Sequence, residues 1–194
     1  MITAIIGKES LLTKHLKLQN KKNLVFSSRN QEDIENIVRF INSSRLKINL
    51  IMNNFYPSAY INQLNNADYN KFYEQSIVFN AKLFSKINSK KINKIIYSSS
   101  SSVYNSIRKD YQYIDTNNKS LYSSTKIAAE NLIYNFCSKN KISFLILRIF
   151  NMYSNKEDKF SIVSKLSKSI NTKNQIKIFN GGQNIRDYIH VKDV

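Results

Sequence analysis

Three side chain types near the middle of the chain have the spacing needed to move a proton on and off an alcohol oxygen. Tyr122 and Lys126 are four residues apart at the start of a predicted helix and share one face of it. The ammonium can therefore stabilise a phenolate and lower the phenol pKa from about 10. A serine of the run Ser98–Ser102 ends the preceding strand and can hold the same oxygen. Such a Ser-Tyr-Lys set acts as a general acid and base while a hydride moves elsewhere.

The tyrosine–lysine spacing alone is a weak signal. With 12 tyrosines and the high lysine content of this chain, about one to two such pairs are expected by chance. Two occur, Tyr122/Lys126 and Tyr188/Lys192. Only the first follows an apolar strand ending in serines and opens a helical pattern, so its context selects it.

Apolar runs alternate with helical patterns along the chain, which predicts βαβ units around a parallel sheet. The predicted strands are 2–6, 23–27, 48–52, 93–98, 143–149 and 175–179, and the predicted helices cover about 11–16, 33–41, 69–87, 122–133 and 160–171. The expected fold class is a doubly wound α/β domain of the Rossmann type. Gly7, Asn53, Ser100 and Asn151 lie at the ends of predicted strands, where such sheets bind ligands.

Composition bounds the classes of partner. The net charge is +17, but the lysines are spread along the chain and form no recognisable nucleic-acid module. We therefore expect a phosphate-bearing small molecule rather than nucleic acid as the ligand. Cys137 is the only cysteine and is expected to pack in a helix. With no basic leader and no long apolar run, the sequence predicts a cytoplasmic protein that does not associate with membranes.

Four ordered segments resemble the extended short-chain dehydrogenase/reductase family, the NAD-dependent nucleotide-sugar epimerases and dehydratases. They are the serine-rich strand end 97–104, Tyr-x-x-x-Lys at 122–126, Leu-Arg-Ile-Phe-Asn-Met-Tyr at 147–153, and the Arg-Asp-Tyr-Ile-His-Val segment within 182–194. The resemblance implies NAD or NADP as cofactor and a nucleotide-sugar substrate. It also implies a redox step at a sugar carbon, and a homodimer formed through a helix bundle.

The resemblance also implies a role for each matching residue. Tyr122 would take the hydroxyl proton, Lys126 would hold the phenolate and bind the nicotinamide ribose, and Ser100 would hold the sugar oxygen. The main chain at Phe150 would contact the nicotinamide. Asn151 and Arg186 would bind the substrate diphosphate.

The cofactor loop departs from the family pattern Gly-x-x-Gly-x-x-Gly, because its three positions are Gly7, Ser10 and Thr13. The acid expected after the second strand is also missing. Arg29 stands there and would favour the 2′-phosphate of NADP or remain a solvated surface side chain. Asp33 corresponds to a family contact to adenine, and Asn53 is a further expected cofactor contact.

The resemblance divides the chain into a cofactor-binding Rossmann-type domain, 1–153, and the start of a shortened, incomplete substrate lobe, 154–194. Two hypotheses stay open, beside a third, nucleic-acid binding, that rests on the net charge alone. The protein is an NAD(P)-dependent epimerase, dehydratase or reductase acting on a nucleotide sugar. Alternatively, it is a non-catalytic or degraded relative that binds a nucleotide or a protein partner.

Overall fold

The structure is a computed structural model that describes residues 1–54, 66–105, 110–114, 120–154, 161–172, 175, 180–183 and 185–194. These residues form two compact units, Met1–Arg148 and Ile149–Val194. The boundary inferred from the sequence, after residue 153, falls a few residues later. The assignment of the two units to cofactor and substrate stays a prediction.

The first unit contains the expected alternation of strands and helices. Its strands are β1 (Ile2–Ile6), β2 (Leu24–Phe26), β3 (Ile48–Met52), β4 (Ile92–Ser100), β5 (Tyr104–Asn105), β6 (Asp110–Ile114) and β7 (Ser143–Ile149), whose last residue opens the second unit. Its helices are α1 (Leu11–Gln19), α2 (Gln31–Ser43), α3 (Asn66–Tyr73), α4 (Phe79–Lys86) and α5 (Leu121–Asn140).

Five strands form one sheet in the order β2-β1-β3-β4-β7. β1 pairs in parallel with both β2 and β3, and β3 pairs in parallel with β4. The strand order therefore reverses at β1, and the carboxyl ends of β1 and β3 meet at the switch point where such sheets bind ligands. The predicted doubly wound parallel α/β fold is confirmed.

An apolar core fixes this sheet against its helices. Ala4, Ile6, Leu50, Met52 and Ile95 are fully buried on neighbouring strands, and each of the larger side chains contributes about 1.5–3 kcal/mol by leaving water. Stacked rings join α4 to α5, because Phe84 and Phe136 lie with their centroids 4.3 Å apart. The predicted packing role of Cys137 agrees with its full burial, which raises the pKa of its thiol to about 11.

The helix expected over 69–87 is interrupted. A π-helical segment, Glu74–Val78, lies between α3 and α4. The spacing of apolar residues cannot reveal this segment. An extra residue in a helical turn moves the apolar face around the helix but leaves apolar residues on both sides of the segment. No helix among the described residues has the length and apolar character needed to span a bilayer.

The second unit contains β8 (Asn151–Tyr153), α6 (Ile162–Thr172) and β9 (Tyr188–His190). β8 and β9 pair in parallel, with Asn151 opposite Tyr188. Edge-to-face rings reinforce the pair, because Tyr153 packs on Tyr188 and His190. These three-residue strands are too short to be recognised from sequence. The strand expected at 175–179 lies almost wholly outside the described residues.

Candidate active site

The serines that end β4 each hold a different partner. Successive strand residues point to opposite faces, so the side chains of Ser98 and Ser99 reach different elements. The pairs are Ser98 with Asn53, Ser99 with Glu130, and Ser100 with Tyr122. The serine run, which resembles low-complexity sequence, therefore connects the end of β4 to the end of β3 and to α5 by side-chain hydrogen bonds.

Tyr122 and Lys126 occupy the first two turns of α5 and lie on the same face. Lys126 is 4% exposed, and its Nζ donates to the Ser98 carbonyl oxygen at 2.6 Å. The same Nζ lies 5.9 Å from the centroid of the partly buried Tyr122 ring and 4.9 Å from that of Tyr97. The structure therefore brings together the predicted set of Ser100, Tyr122 and Lys126.

Burial dominates the electrostatics of this set. Desolvation lowers the pKa of Lys126 to about 7, with the Glu130 carboxylate opposing the shift. Desolvation also raises the pKa of Tyr122, and the Ser100 hydrogen bond only partly offsets it. The expectation that Lys126 lowers the phenol pKa is therefore not met in this arrangement. Near neutral pH the phenol is protonated and Lys126 changes charge.

Glu130 is a site neighbour that the sequence reasoning missed. It is buried, accepts a hydrogen bond from Ser99, and forms an ion pair with Arg148 at 2.9 Å. The Arg148 guanidinium also lies 5.0 Å from the centroid of the Tyr104 ring. The available signal was spacing, because Glu130 follows Lys126 by four residues and so shares the face of α5 that carries Tyr122.

The second tyrosine–lysine pair has no such geometry. Tyr188 ends up in β9, a strand, and Lys192 lies exposed in the turn that follows. A spacing of four residues aligns side chains on a helix but not across a strand and a turn. This contrast makes Tyr188 and Lys192 matched controls for Tyr122 and Lys126.

Gly7 ends β1 at the switch point and cannot carry a side chain there. Its φ is +103°, and a Cβ would lie 2.6 Å from the backbone carbon and oxygen of Asn53 and 2.8 Å from the Asn54 nitrogen. Both the left-handed backbone and the close approach of β3 therefore require glycine. Of the three loop positions, only the first keeps its glycine, and the close approach of the Asn53 and Asn54 backbone explains why a side chain does not fit there.

Replacing Gly7 by alanine is expected to lower the free energy of unfolding by about 3 kcal/mol or more, because the positive φ and the backbone overlap both cost energy. Gly181 is the matched control, since its φ is +57° but no atom of the described residues lies within 4 Å of its Cβ position. Gly181→Ala should cost only about 1 kcal/mol. Urea denaturation of the two variants measures the difference, and equal losses would contradict a close contact at Gly7.

The other two loop positions differ from each other. Ser10 is the N-cap of α1 but makes no side-chain cap hydrogen bond among the described residues, which leaves the first-turn amides of α1 available to a diphosphate. Thr13 is 1% exposed, and its Oγ1 accepts a hydrogen bond from Asn53 Nδ2 at 2.9 Å. The Thr13 side chain therefore points into the protein, where the family pattern has no side chain.

Arg29 and Asp33 lie at the start of α2. Asp33 forms a capping box with Asn30, and its carboxylate accepts from the Arg29 backbone N–H at 2.7 Å. The Arg29 side chain is exposed and borders a cavity. Its other lining residues are Asn30, Gln31, Ile34, Glu74, Phe79 and Lys82. Contacts of Arg29 and Asp33 with a cofactor remain predictions.

Phe150, Asn151 and Arg186 belong to the second unit. Asn151 bonds the carbonyl of Asp187 through its side chain at 2.9 Å and through its backbone N–H at 3.3 Å. The parallel pairing of β8 with β9 therefore holds Asn151 beside the segment that carries the exposed Arg186. Their predicted role in binding a diphosphate remains untested.

No cluster of histidine, cysteine, aspartate or glutamate suited to a metal ion occurs among the residues that the structure describes. The candidate site is instead a set of hydroxyl, phenol and ammonium groups at the carboxyl edge of the sheet. The sequence model of the NAD dependent epimerase/dehydratase family matches residues 10–194. The chain belongs to this family.

The chain is also similar to individual proteins. The dTDP-D-glucose 4,6-dehydratase of Dictyostelium discoideum is 27% identical over 140 residues, covering 64% of this chain and 32% of the relative. The aligned segments span about a third of the curated relatives matched. The UDP-N-acetylglucosamine 4-epimerase of Methanobrevibacter ruminantium M1, solved with UDP-N-acetylmuramic acid, superposes with a TM-score of 0.78 at 17% identity, over 99% of this chain and 69% of that one.

A second solved structure, the UDP-glucuronic acid 4-epimerase of Bacillus cereus in complex with NAD, superposes with a TM-score of 0.75 at 18% identity. It covers 100% of this chain and 70% of that one. At these identities the superpositions establish the fold, and they agree with the family match. The resemblance inferred from the four sequence segments is therefore confirmed.

Proposed function

We propose that the protein acts on a nucleotide sugar in an NAD(P)-dependent reaction that begins with oxidation of a sugar hydroxyl. The observation that carries this proposal is the hydrogen bond between Ser100 and Tyr122 with Lys126 one turn away on the same helix face. Proton transfer from an alcohol needs a group that accepts the proton, a group that holds the alcohol oxygen and a cation that stabilises the negative charge. The Tyr122 phenol, the Ser100 hydroxyl and the Lys126 amine can supply these three functions. Family membership supports the same reaction class.

In the proposed step Tyr122 first gives its own proton to the uncharged Lys126 amine or to solvent, and the resulting phenolate accepts the proton of the sugar hydroxyl while Ser100 donates a hydrogen bond to the same oxygen. Bound NAD(P) would supply the acceptor for the hydride of the sugar carbon. Lys126 stabilises the phenolate and binds the nicotinamide ribose, which requires its Nζ to share or leave the Ser98 carbonyl. Epimerisation, dehydration and reduction all use this proton transfer, so the set of residues supports the class rather than one member.

The cofactor residues we propose in the first unit lie around the switch point, at the start of α2 and on α5. They are Gly7, Ser10, Thr13, Arg29, Asp33, Asn53 and Lys126, and Phe150 of the second unit is a further one. The groups present fit a dinucleotide, because a backbone cradle at Gly7 meets the uncapped first turn of α1. Thr13 and Asn53 would act through packing, since their side chains are buried against each other. Solved structures of similar fold carry NAD.

For the substrate we propose a nucleoside diphosphate sugar held by Asn151 and Arg186. A guanidinium suits a diphosphate because its planar fork can bond two oxygens at once. The relatives' names support this class of ligand, since they include a dTDP-glucose dehydratase and epimerases crystallised with UDP sugars.

The alternative function is a family member that binds a nucleotide without catalysis. The replacement of two loop glycines by Ser10 and Thr13 favours it. Calorimetric titration with NAD and with NADP, followed by addition of UDP-glucose or dTDP-glucose, separates the two. Saturable cofactor binding followed by sugar conversion supports the enzyme, whereas binding without conversion of any sugar supports the alternative. Absence of saturable binding up to millimolar cofactor would overturn the proposed function.

A further inference from the structure

Three hydrogen bonds, joined through the main chain of Ser98, connect the cofactor loop to Lys126 across the carboxyl edge of the sheet. The connection begins at Thr13 on α1, which occupies the third glycine position of the cofactor loop. Its Oγ1 accepts from Asn53 Nδ2 at 2.9 Å, and both residues are buried. A glycine at this position would leave a small void beside α1 and leave this amide N–H without its acceptor.

Asn53 is fixed on three sides. Its backbone N–H donates to the Ile6 carbonyl at 2.8 Å, its Nδ2 donates to Thr13, and its Oδ1 accepts from the Ser98 hydroxyl. Both ends of the Asn53 amide are therefore used, one by the Thr13 hydroxyl and one by the Ser98 hydroxyl. Asn53 thus ties Ser98 of the neighbouring strand to the end of β3 and, through Thr13, to α1.

Ser98 passes this constraint to α5 through its backbone. Its carbonyl oxygen accepts from Lys126 Nζ at 2.6 Å. Since Lys126 is almost completely buried, a carbonyl held in a fixed direction takes the place of water as the partner of its ammonium. Thr13, Asn53 and Ser98 thus form a bridge, hereafter the Thr13–Asn53–Ser98 bridge, from the cofactor loop to the lysine.

We propose that Thr13 and Asn53 are positioning residues for Lys126. In this chain Thr13 stands where the family pattern has its third loop glycine. Through the Thr13–Asn53–Ser98 bridge, the position of α1 affects the position of the Lys126 ammonium. The catalytic part of the inference rests on the proposed function, because it assumes that Lys126 supports the proton transfer. The structural part, which says that the bridge affects the position and protonation of Lys126, does not rest on the proposed function.

The state of Lys126 can be measured without any activity. Because its pKa in the folded protein is about 7, against 10.5 for the ordinary side chain, the unfolded chain binds more protons between these values. The contribution of Lys126 to the free energy of unfolding therefore rises with pH across this window. The groups that face the ammonium are Glu130 and Tyr122 on α5 and Tyr97 on β4. Lys126→Met supplies the reference curve that lacks this titration.

The test compares Thr13→Val, Asn53→Ala and the double variant with wild type, by urea denaturation from pH 6 to 10.5 and by turnover. We expect each single variant to start its rise in stability at lower pH, by about half a unit, because the Ser98 carbonyl is then less firmly held in place to accept from the ammonium. The double variant should show no further shift. Turnover should fall about tenfold in each single variant and no further in the double. Thr13→Ser, which keeps the hydroxyl, should restore both readouts.

Matched controls remove the same groups elsewhere. Thr172→Val removes an exposed helical hydroxyl, and Asn135→Ala removes an exposed amide on α5. Both should leave the pH curve unchanged. If Thr13→Val and Asn53→Ala lower stability equally at every pH, the bridge is merely structural and the proposal is overturned. A shift in the pH curve without any turnover in wild type would overturn the proposed function and leave the bridge standing.

Discussion

Replacing Tyr122 by phenylalanine should reduce turnover about 10²–10⁴-fold while saturable binding of NAD(P) stays close to that of wild type. The substitution removes only the phenolic oxygen, which hydrogen-bonds Ser100 and would exchange a proton with the sugar hydroxyl. The ring remains to fill the partly buried space at the start of α5. Steady-state rates with a nucleotide sugar, together with calorimetric titration of the cofactor, measure the two effects separately.

Tyr188→Phe is the control for this prediction. It removes the same oxygen from the other tyrosine that precedes a lysine by four residues, but Tyr188 lies in β9. Its turnover should match that of wild type. An undiminished rate in Tyr122→Phe would show that another group transfers the proton.

The second large effect is expected from Lys126→Met. Because the raised pKa of the Cys137 thiol lowers stability in every variant above about pH 9, Lys126 is measured by the difference between wild type and Lys126→Met. Its contribution to stability should rise between about pH 7 and pH 10.5, because the folded state disfavours the buried ammonium and the unfolded state does not. Lys126→Met should remove this rise, which amounts to a few kcal/mol on the scale of about 1.4 kcal/mol per pKa unit. The variant should also lose turnover, because no cation remains to stabilise the phenolate.

Lys192→Met provides the comparison, since Lys192 is exposed in a turn and its removal should leave the stability curve in place. Urea denaturation at a series of pH values measures both variants. A difference between wild type and Lys126→Met that stays constant across this window would show that Lys126 is not desolvated as the structure indicates.

The fold was predictable because its signals are local and repeated. The strands at 2–6, 48–52 and 143–149 match their predicted bounds, since each is a short apolar run between turn residues. The pairing of Tyr122 with Lys126 was also predictable, because helix geometry alone places them on one face. The context that selected this pair over Tyr188/Lys192 agrees with the observed helix and strand.

Other features depend on contacts between distant residues. Spacing cannot show that Thr13 turns inward to meet Asn53, because that contact joins residues 40 positions apart. The rise in the Tyr122 pKa follows from burial, which outweighs the nearby lysine and is set only when the domain packs. The π segment 74–78 inserts into a helix whose apolar pattern continues on both sides.

The different partners of Ser98, Ser99 and Ser100 also could not be predicted from the sequence and become clear only in the folded structure. The sequence required one functional hydroxyl among Ser98–Ser102, and the resemblance placed it at Ser100. In the structure Ser98, Ser99 and Ser100 all have partners, and only the pairing of Ser100 with Tyr122 matches the proposed chemistry. Ser98 and Ser99 are instead expected to hold the strand in place.

The central claim is that Tyr122, Lys126 and Ser100 move the proton of a sugar hydroxyl while NAD(P) takes the hydride. Its most direct test is a single-turnover experiment in which protein saturated with cofactor is mixed with UDP-glucose or dTDP-glucose. Reduced nicotinamide is followed by absorbance and the sugar product by mass spectrometry and NMR. The account predicts conversion of at least one sugar by the wild type and by Tyr188→Phe, and none by Tyr122→Phe on the same timescale. Equal conversion by wild type and Tyr122→Phe would contradict it.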